Sequence, residues 1–234
     1  MINKICLVTG ASSGIGYAIA KALIEDNFTV VATARRQDRL NTLKADPDDL
    51  FPGDLNDPDF QTMVVNSIFD KYGQCGYLFN CAGMLEVGPI DKIDIDKMAA
   101  MMRLNVESTF RLTYLMLKKF KKQGFGHIIN ISSVLGTKVR PTAGAYAATK
   151  FAMEALSEAL RLELIGTDLQ VSCIEPGLVM TELHKDWDVH PKESMQIHEP
   201  LTVDNIVETV RFIMNQPKHI RIPNLMILPK DHNI

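Results

Sequence analysis

Thr9-Gly10-Ala11-Ser12-Ser13-Gly14-Ile15-Gly16 stands between an apolar run, Ile5 to Val8, and a segment with helical periodicity. Ile15, Ala18, Ile19, Ala22 and Leu23 share one face of a helix expected over 15–25. A glycine-rich turn leading from a buried strand into a helix is the setting in which a phosphate can be held. The first N–H groups of the helix lack partners and point at the turn. Gly10 permits the sharp turn, Gly14 lets a pyrophosphate approach the backbone, and Gly16 lets the helix pack closely on the sheet. Ser12, Ser13 and Ile15 complete the loop as candidate ligand contacts. A purely structural turn is the competing reading, because turns are rich in glycine.

Outward from this turn, strand and helix signals alternate. Strands are expected at 4–9, 28–33, 49–51, 77–80, 127–131, 169–174 and 225–228. Between them helices are expected at 15–25, 39–44, 57–72, 96–122, 145–164 and 204–215. The strands are continuous apolar runs instead of in/out patterns, so both faces of the sheet are covered. The expected fold is α/β: a doubly wound, Rossmann-like parallel sheet of about seven strands with helices on both faces. No Ser/Gly linker divides residues 1–234, which read as one nucleotide-binding domain with 182–202 as a substrate lid.

Composition excludes several classes. Hydrophobic residues make up 46% of the chain and charged residues 23%, a globular profile. The formal net charge of −3 is spread without runs of one sign, so neither nucleic acid nor an anionic membrane is an expected partner. No apolar stretch approaches the roughly 18 residues of a membrane span. The short apolar start reads as a buried strand, not a secretory leader. Cys6, Cys75, Cys81 and Cys173 lack metal-ligand spacing and read as free thiols in a reducing, cytoplasmic setting. His184, His190 and His198 also lack such spacing, so no metal is expected.

The turn's spacing, Gly-x-x-x-Gly-x-Gly after Thr9, resembles the cofactor motif of the short-chain dehydrogenases/reductases. Other marks follow in that family's order. They are Asn80-Cys81-Ala82-Gly83, Asn105, Ser132-Ser133, Tyr146-Ala147-Ala148-Thr149-Lys150, and Pro176-Gly177 with Val179 and Thr181. The resemblance implies that Asn80, Ala82 and Gly83 border a nicotinamide cofactor, and that Pro176, Gly177, Val179 and Thr181 close over it. It implies a catalytic group of Asn105, Ser133, Tyr146 and Lys150, with Tyr146 and Lys150 also touching cofactor. Asp54-Leu55 resembles the pair that borders adenine. A homodimer or homotetramer is implied as well.

Residue chemistry supports these roles. An unperturbed phenol has a pKa of about 10, too high for easy proton exchange near neutrality. Lys150 lies one helical turn from Tyr146 and is expected to favour the phenolate. Ser133 would hydrogen-bond the substrate oxygen, and Ser132 should point the other way along the strand. Asn105 resembles the helix-interrupting asparagine that holds a relay water for Lys150. At the end of the second strand, Ala34 stands where relatives using NAD carry an acid, and Arg35-Arg36 follow. Guanidinium groups suit a 2′-phosphate, so NADP is expected over NAD.

The substrate is less legible. Lys138 and Arg140, between Ser133 and Tyr146, would form a cationic rim favouring an acidic substrate such as a 3-hydroxy acid, unless they are ordinary surface charge. The stretch 203–229 resembles a bacterial branch of NADP-dependent serine and 3-hydroxy-acid dehydrogenases and aldehyde reductases. The expected activity is therefore hydride transfer between NADP and a small alcohol or carbonyl compound, a 3-hydroxy acid or aldehyde among them. The rival is a catalytically silent NADP-binding regulator of the same fold.

Overall fold

The strand β1 (Ile5–Thr9) sends alternate side chains to opposite faces, as a pleated strand must. Cys6 and Val8 enter one apolar layer and Leu7 the other. A computed structural model describes residues 4–185, 187 and 189–233. Around β1 it builds β2 (Thr29–Ala34), β3 (Leu50–Pro52), β4 (Tyr77–Asn80), β5 (Phe125–Ile131), β6 (Asp168–Pro176) and β7 (Asn224–Ile227). All neighbours pair in parallel in the order β3-β2-β1-β4-β5-β6-β7, the expected seven-stranded Rossmann-like sheet.

Helices α1 (Gly14–Glu25) and α8 (Val203–Met214) cover one face with α2 (Gln37–Leu40). On the other face lie α3 (Pro58–Tyr72), α5 (Thr109–Gln123) and α6 (Gly144–Glu163). Side chains such as Ile19, Ile206, Ile68 and Phe120 are withdrawn from water, each contributing about 1.5–3 kcal/mol. These two apolar layers hold the helices on the sheet. No helix among the described residues is long and apolar enough to cross a membrane.

Local signals set the helix ends. Asp57 caps α3 by accepting from Asp59 N at 2.9 Å, Pro58 occupies the first turn, and Gly73 closes the helix in the left-handed region (φ 71°). Thr202 and Asn205 form a reciprocal capping box on α8. By contrast, Ser13 at the start of α1 makes no side-chain cap, so the first-turn N–H groups remain open to a ligand.

Two elements depart from expectation. The helix expected at 96–122 is broken: α4 (Ile95–Met102) passes through a π-helical segment, Arg103–Ser108, before α5. Such widened turns gather at functional sites, and this one contains Asn105. The stretch 182–202, where no helix is expected, carries local structure. It holds a 3₁₀ turn, Glu182–His184, and α7 (Pro191–Ser194), and its neck is closed where Met180 N donates to Leu201 O at 2.8 Å. Asp186 and Asp188 of that stretch lie outside the described residues.

From β1 the chain winds out to β3, then returns to start β4 on the other side of β1. Parallel sheets bind ligands at the carboxyl ends of strands where the winding reverses. Thr9 marks that place, its hydroxyl donating to Phe79 O at 3.2 Å and accepting from Cys81 N and Ala82 N at 3.0 and 3.1 Å.

Candidate active site

A cavity of about 820 Å³ opens at this reversal. Its floor is the glycine turn, and each glycine there has a steric reason. A Cβ on Gly10 (φ +66°) would lie 2.8 Å from Ala82 Cα, and one on Gly16 would lie 2.5 Å from Gly10 O. At Gly14 the missing side chain admits Thr181, whose Cβ would be 3.3 Å from it, so the segment after β6 rests on the turn. Ser12, Ser13, Ile15, Asp54, Leu55, Ala82, Gly83, Pro176, Gly177, Val179 and Thr181 all line the same cavity.

Asn80 does not. Its amide donates to Thr113 Oγ1 at 3.0 Å and to Asn130 Oδ1 at 2.8 Å, and Asn130 in turn donates to Ser157 Oγ. At 3% exposure the Asn80 side chain is a brace between β4, β5, α5 and α6 and supports the sheet beside the cavity. Strand alternation explains this: it faces the layer opposite to Cys81. A buried amide is stable only when its polar atoms are partnered, and this network partners them.

At the end of β2 the two arginines differ. Arg35 is exposed and has no hydrogen-bond or ion-pair partner among the described residues. Arg36 reaches Ser12 Oγ at 3.3 Å and Glu182 at 3.0 Å, and Arg39 adds a second contact to Glu182 at 3.6 Å. Arg36 therefore ties the phosphate turn to the loop after β6, a link that spans 146 residues and has no local sequence signal.

The same cavity is lined by Ser133, Tyr146 and Lys150. Ser133 caps a short turn by accepting from Leu135 N at 3.1 Å, and its hydroxyl favours ionisation of the neighbouring Tyr146 phenol. Ser132 Oγ is buried without a partner. Tyr146 and Lys150 occupy adjacent turns of α6, with the ammonium 5.8 Å from the ring centroid. Desolvation pushes the Tyr146 phenol up to about 12, opposed by the Ser133 hydrogen bond and by the Arg140 guanidinium. Lys150 is anchored beside this ring. Its Nζ donates to Ile131 O at 2.8 Å, and burial brings its own pKa down to about 8.

Asn105, 1% exposed, lies behind this group. Its Oδ1 accepts from Met84 N at 2.8 Å, and its Nδ2 donates to Met84 O at 2.9 Å and Thr149 Oγ1 at 3.2 Å. The side chain thus fastens the segment after β4 to α6 beside Lys150. The sequence offered no sign of His232, whose Nδ1 accepts from Leu178 N at 3.4 Å as the tail folds back over the cavity mouth. Gly177 makes the approach possible, since a Cβ there would lie 2.4 Å from that nitrogen.

Comparison with known proteins identifies the family and the fold. The sequence profile of the family described as short chain dehydrogenase matches residues 4–192. An uncharacterized oxidoreductase of Staphylococcus epidermidis is 30% identical over 230 residues, covering 97% of each chain. Another from Staphylococcus aureus is 30% identical over 233 residues, covering 98% of each. The closed form of a serine dehydrogenase complexed with NADP+ superposes with a TM-score of 0.90 at 31% identity, over 98% of this chain and 96% of that one. Serine dehydrogenase from Escherichia coli gives 0.84 at 29% identity, over 98% and 100%.

Proposed function

Because this chain belongs to the short chain dehydrogenase family of oxidoreductases, we propose that it reduces a small carbonyl compound, or oxidises the matching alcohol, with NADP as cofactor. One observation carries the reading: the uncapped glycine turn and the Ser133–Tyr146–Lys150 group line one cavity. The residues present fit such a cofactor. The open N-terminus of α1 suits a pyrophosphate, and the unpartnered Arg35 suits a 2′-phosphate. Bound there, a reduced nicotinamide would supply the hydride that the carbonyl carbon takes up.

The chain's own residues supply the rest. Tyr146, held protonated by burial, gives its proton to the carbonyl oxygen as the alcohol forms. Ser133 hydrogen-bonds that oxygen and the phenol, which stabilises charge on either. Lys150, its ammonium anchored on Ile131 O, would hold the nicotinamide ribose. Since the Asn105 side chain is committed to Met84 and Thr149, a proton relay through this residue falls to its backbone. A panel of aldehydes, ketones and oxo acids tests the reading by loss of NADPH absorbance. Tight NADPH binding with no turnover on any of them would turn us to the silent regulator.

Cofactor choice is tested separately. Arg35→Ala is expected to weaken NADPH about ten-fold or more and NADH less than two-fold, measured by fluorescence titration. Glu182→Gln is expected to tighten NADPH a few-fold, because its carboxylate competes with phosphate for Arg36 and Arg39 and such exposed pairs are worth about 1 kcal/mol at most. Equal changes for both cofactors would remove the 2′-phosphate assignment. We place the work in a reducing cytoplasm, since all four cysteines are free thiols. We also expect self-association through α5 and α6, which leave Tyr114, Phe151 and Leu162 exposed; a monomer by light scattering would end that expectation.

A further inference from the structure

Around Lys150 lies a cluster of acids and thiols that the hydride-transfer reading does not use. Lys150 is 6% exposed, and its Nζ donates to a backbone carbonyl, Ile131 O. Among the described residues no carboxylate lies within ion-pair distance of it. A buried ammonium without a counter-ion is costly and is driven to give up its proton. Cys173 of β6, Glu154 of α6 and Cys81 after β4 face this ammonium, together with the Tyr146 ring. Burial pushes both thiols up to about 12, so near neutrality they carry no charge. The negative charge that acts on Lys150 is then that of Glu154. It stands four residues further along α6, one turn on and on the same face.

This carboxylate is fixed from a distant part of the chain. Glu154 Oε2 accepts from Asn224 Nδ2 at 2.7 Å, and the same nitrogen donates to Glu175 Oε1 at 2.6 Å. Asn224 opens β7, so the contact pins α6 to the edge of the sheet. Burial pushes the Glu175 carboxyl up, and Arg161, on a later turn of α6, acts on Glu175 and Cys173. The other Glu154 oxygen, Oε1, is buried without a hydrogen-bond partner, as is Ser132 Oγ. Gly136 admits both atoms, since a Cβ there would lie 2.8 Å from Ser132 Oγ and 3.3 Å from Glu154 Oε1. Withdrawing a carboxylate oxygen from water without a donor is unfavourable unless its charge is used elsewhere.

We propose that Glu154 is a positioning residue: fixed by Asn224, it is the counter-charge that keeps the Lys150 ammonium charged in its buried place. The catalytic consequence rests on the reading of Lys150 as the residue that holds the cofactor ribose. The electrostatic pairing does not.

The test follows the isotope-labelled lysine Cε signals of the full-length protein by NMR as pH is raised. Lys150 is identified by the signal lost in Lys150→Met. In the wild type that signal is expected to titrate near 8, below ordinary lysines. Glu154→Gln keeps the shape and removes the charge, and should move the titration down by about half to one pH unit. Glu154→Asp, which retains the charge, should restore most of the wild-type value. Glu154→Ala serves where the glutamine variant folds poorly and should give the same displacement. An unmoved Lys150 titration in a variant that melts like the wild type would overturn the proposal. So would equal displacement by Asp and Gln, which would make Glu154 a structural tie to Asn224. With NADPH and any carbonyl compound that is turned over, the alkaline fall in kcat/KM should move down in Glu154→Gln by the same amount. If the wild type turns over nothing, the hydride-transfer reading fails, and the NMR titration still judges Glu154.

Discussion

Replacing Tyr146 with phenylalanine is expected to lower kcat/KM for carbonyl reduction at least about 100-fold, equivalent to about 2.7 kcal/mol of transition-state stabilisation. The NADPH dissociation constant should stay within about two-fold. The ring packs with Val134, Leu135, Ala143 and Ala147, and those contacts survive the change. Only the hydroxyl is lost, and with it the proton that must reach the substrate oxygen. Because burial holds this phenol near 12, it is protonated throughout the physiological range and serves as an acid in the reducing direction. The phenolate left behind is stabilised by Ser133 and Arg140, the two groups that oppose burial. Steady-state rates beside NADPH fluorescence titration check this. Activity within ten-fold of wild type would mean that another group donates the proton.

The second large effect is expected from Gly16→Ala. A Cβ there would lie 2.5 Å from Gly10 O, 2.9 Å from Gly10 C and 2.9 Å from Thr9 O, all backbone atoms of the phosphate turn. No flexible side-chain end can move aside, so either α1 shifts off the sheet or the turn deforms. Overpacking of a tight site typically costs about 1–3 kcal/mol, which for a chain of this size lowers Tm by roughly 2–12 °C. The same deformation moves the open N–H groups of α1, so NADPH affinity should fall at least about ten-fold. Calorimetric melting and cofactor titration read the two effects. Unchanged melting with unchanged affinity would show that the turn has slack which these distances deny.

Much of the fold was legible because its signals are local. Continuous apolar runs marked the strands, and glycine, proline and Asp caps marked helix ends within a few residues. Departures have local causes as well. Asn105 sits where the expected long helix widens into a π turn, and periodicity over 96–122 does not register one extra residue in a turn. β6 runs on to Pro176 because its pairing with β7 continues through Ile227, a contact between distant parts of the chain.

In the candidate site the positions were legible and the partnerships were not. Tyr146 and Lys150 share a helical face by spacing alone, but Arg140, whose charge also acts on the phenol, comes from the segment before α6 and carried no such signal. Asn80 belongs to a motif that suggested cofactor contact, yet its side chain points into the layer shared with Thr113 and Asn130.

From its residues alone, the chain determines its alternating strands and helices, its glycine turn, and the order in which Ser133, Tyr146 and Lys150 arrive. Those features depend on backbone preference and on spacing within a few turns. Which side chains meet was decided only by the sheet order and the paths of the loops. Glu182 on Arg36, His232 against Leu178 and Arg140 near Tyr146 depend on chain segments being packed together in space, and hydrophobic periodicity carries no record of that packing.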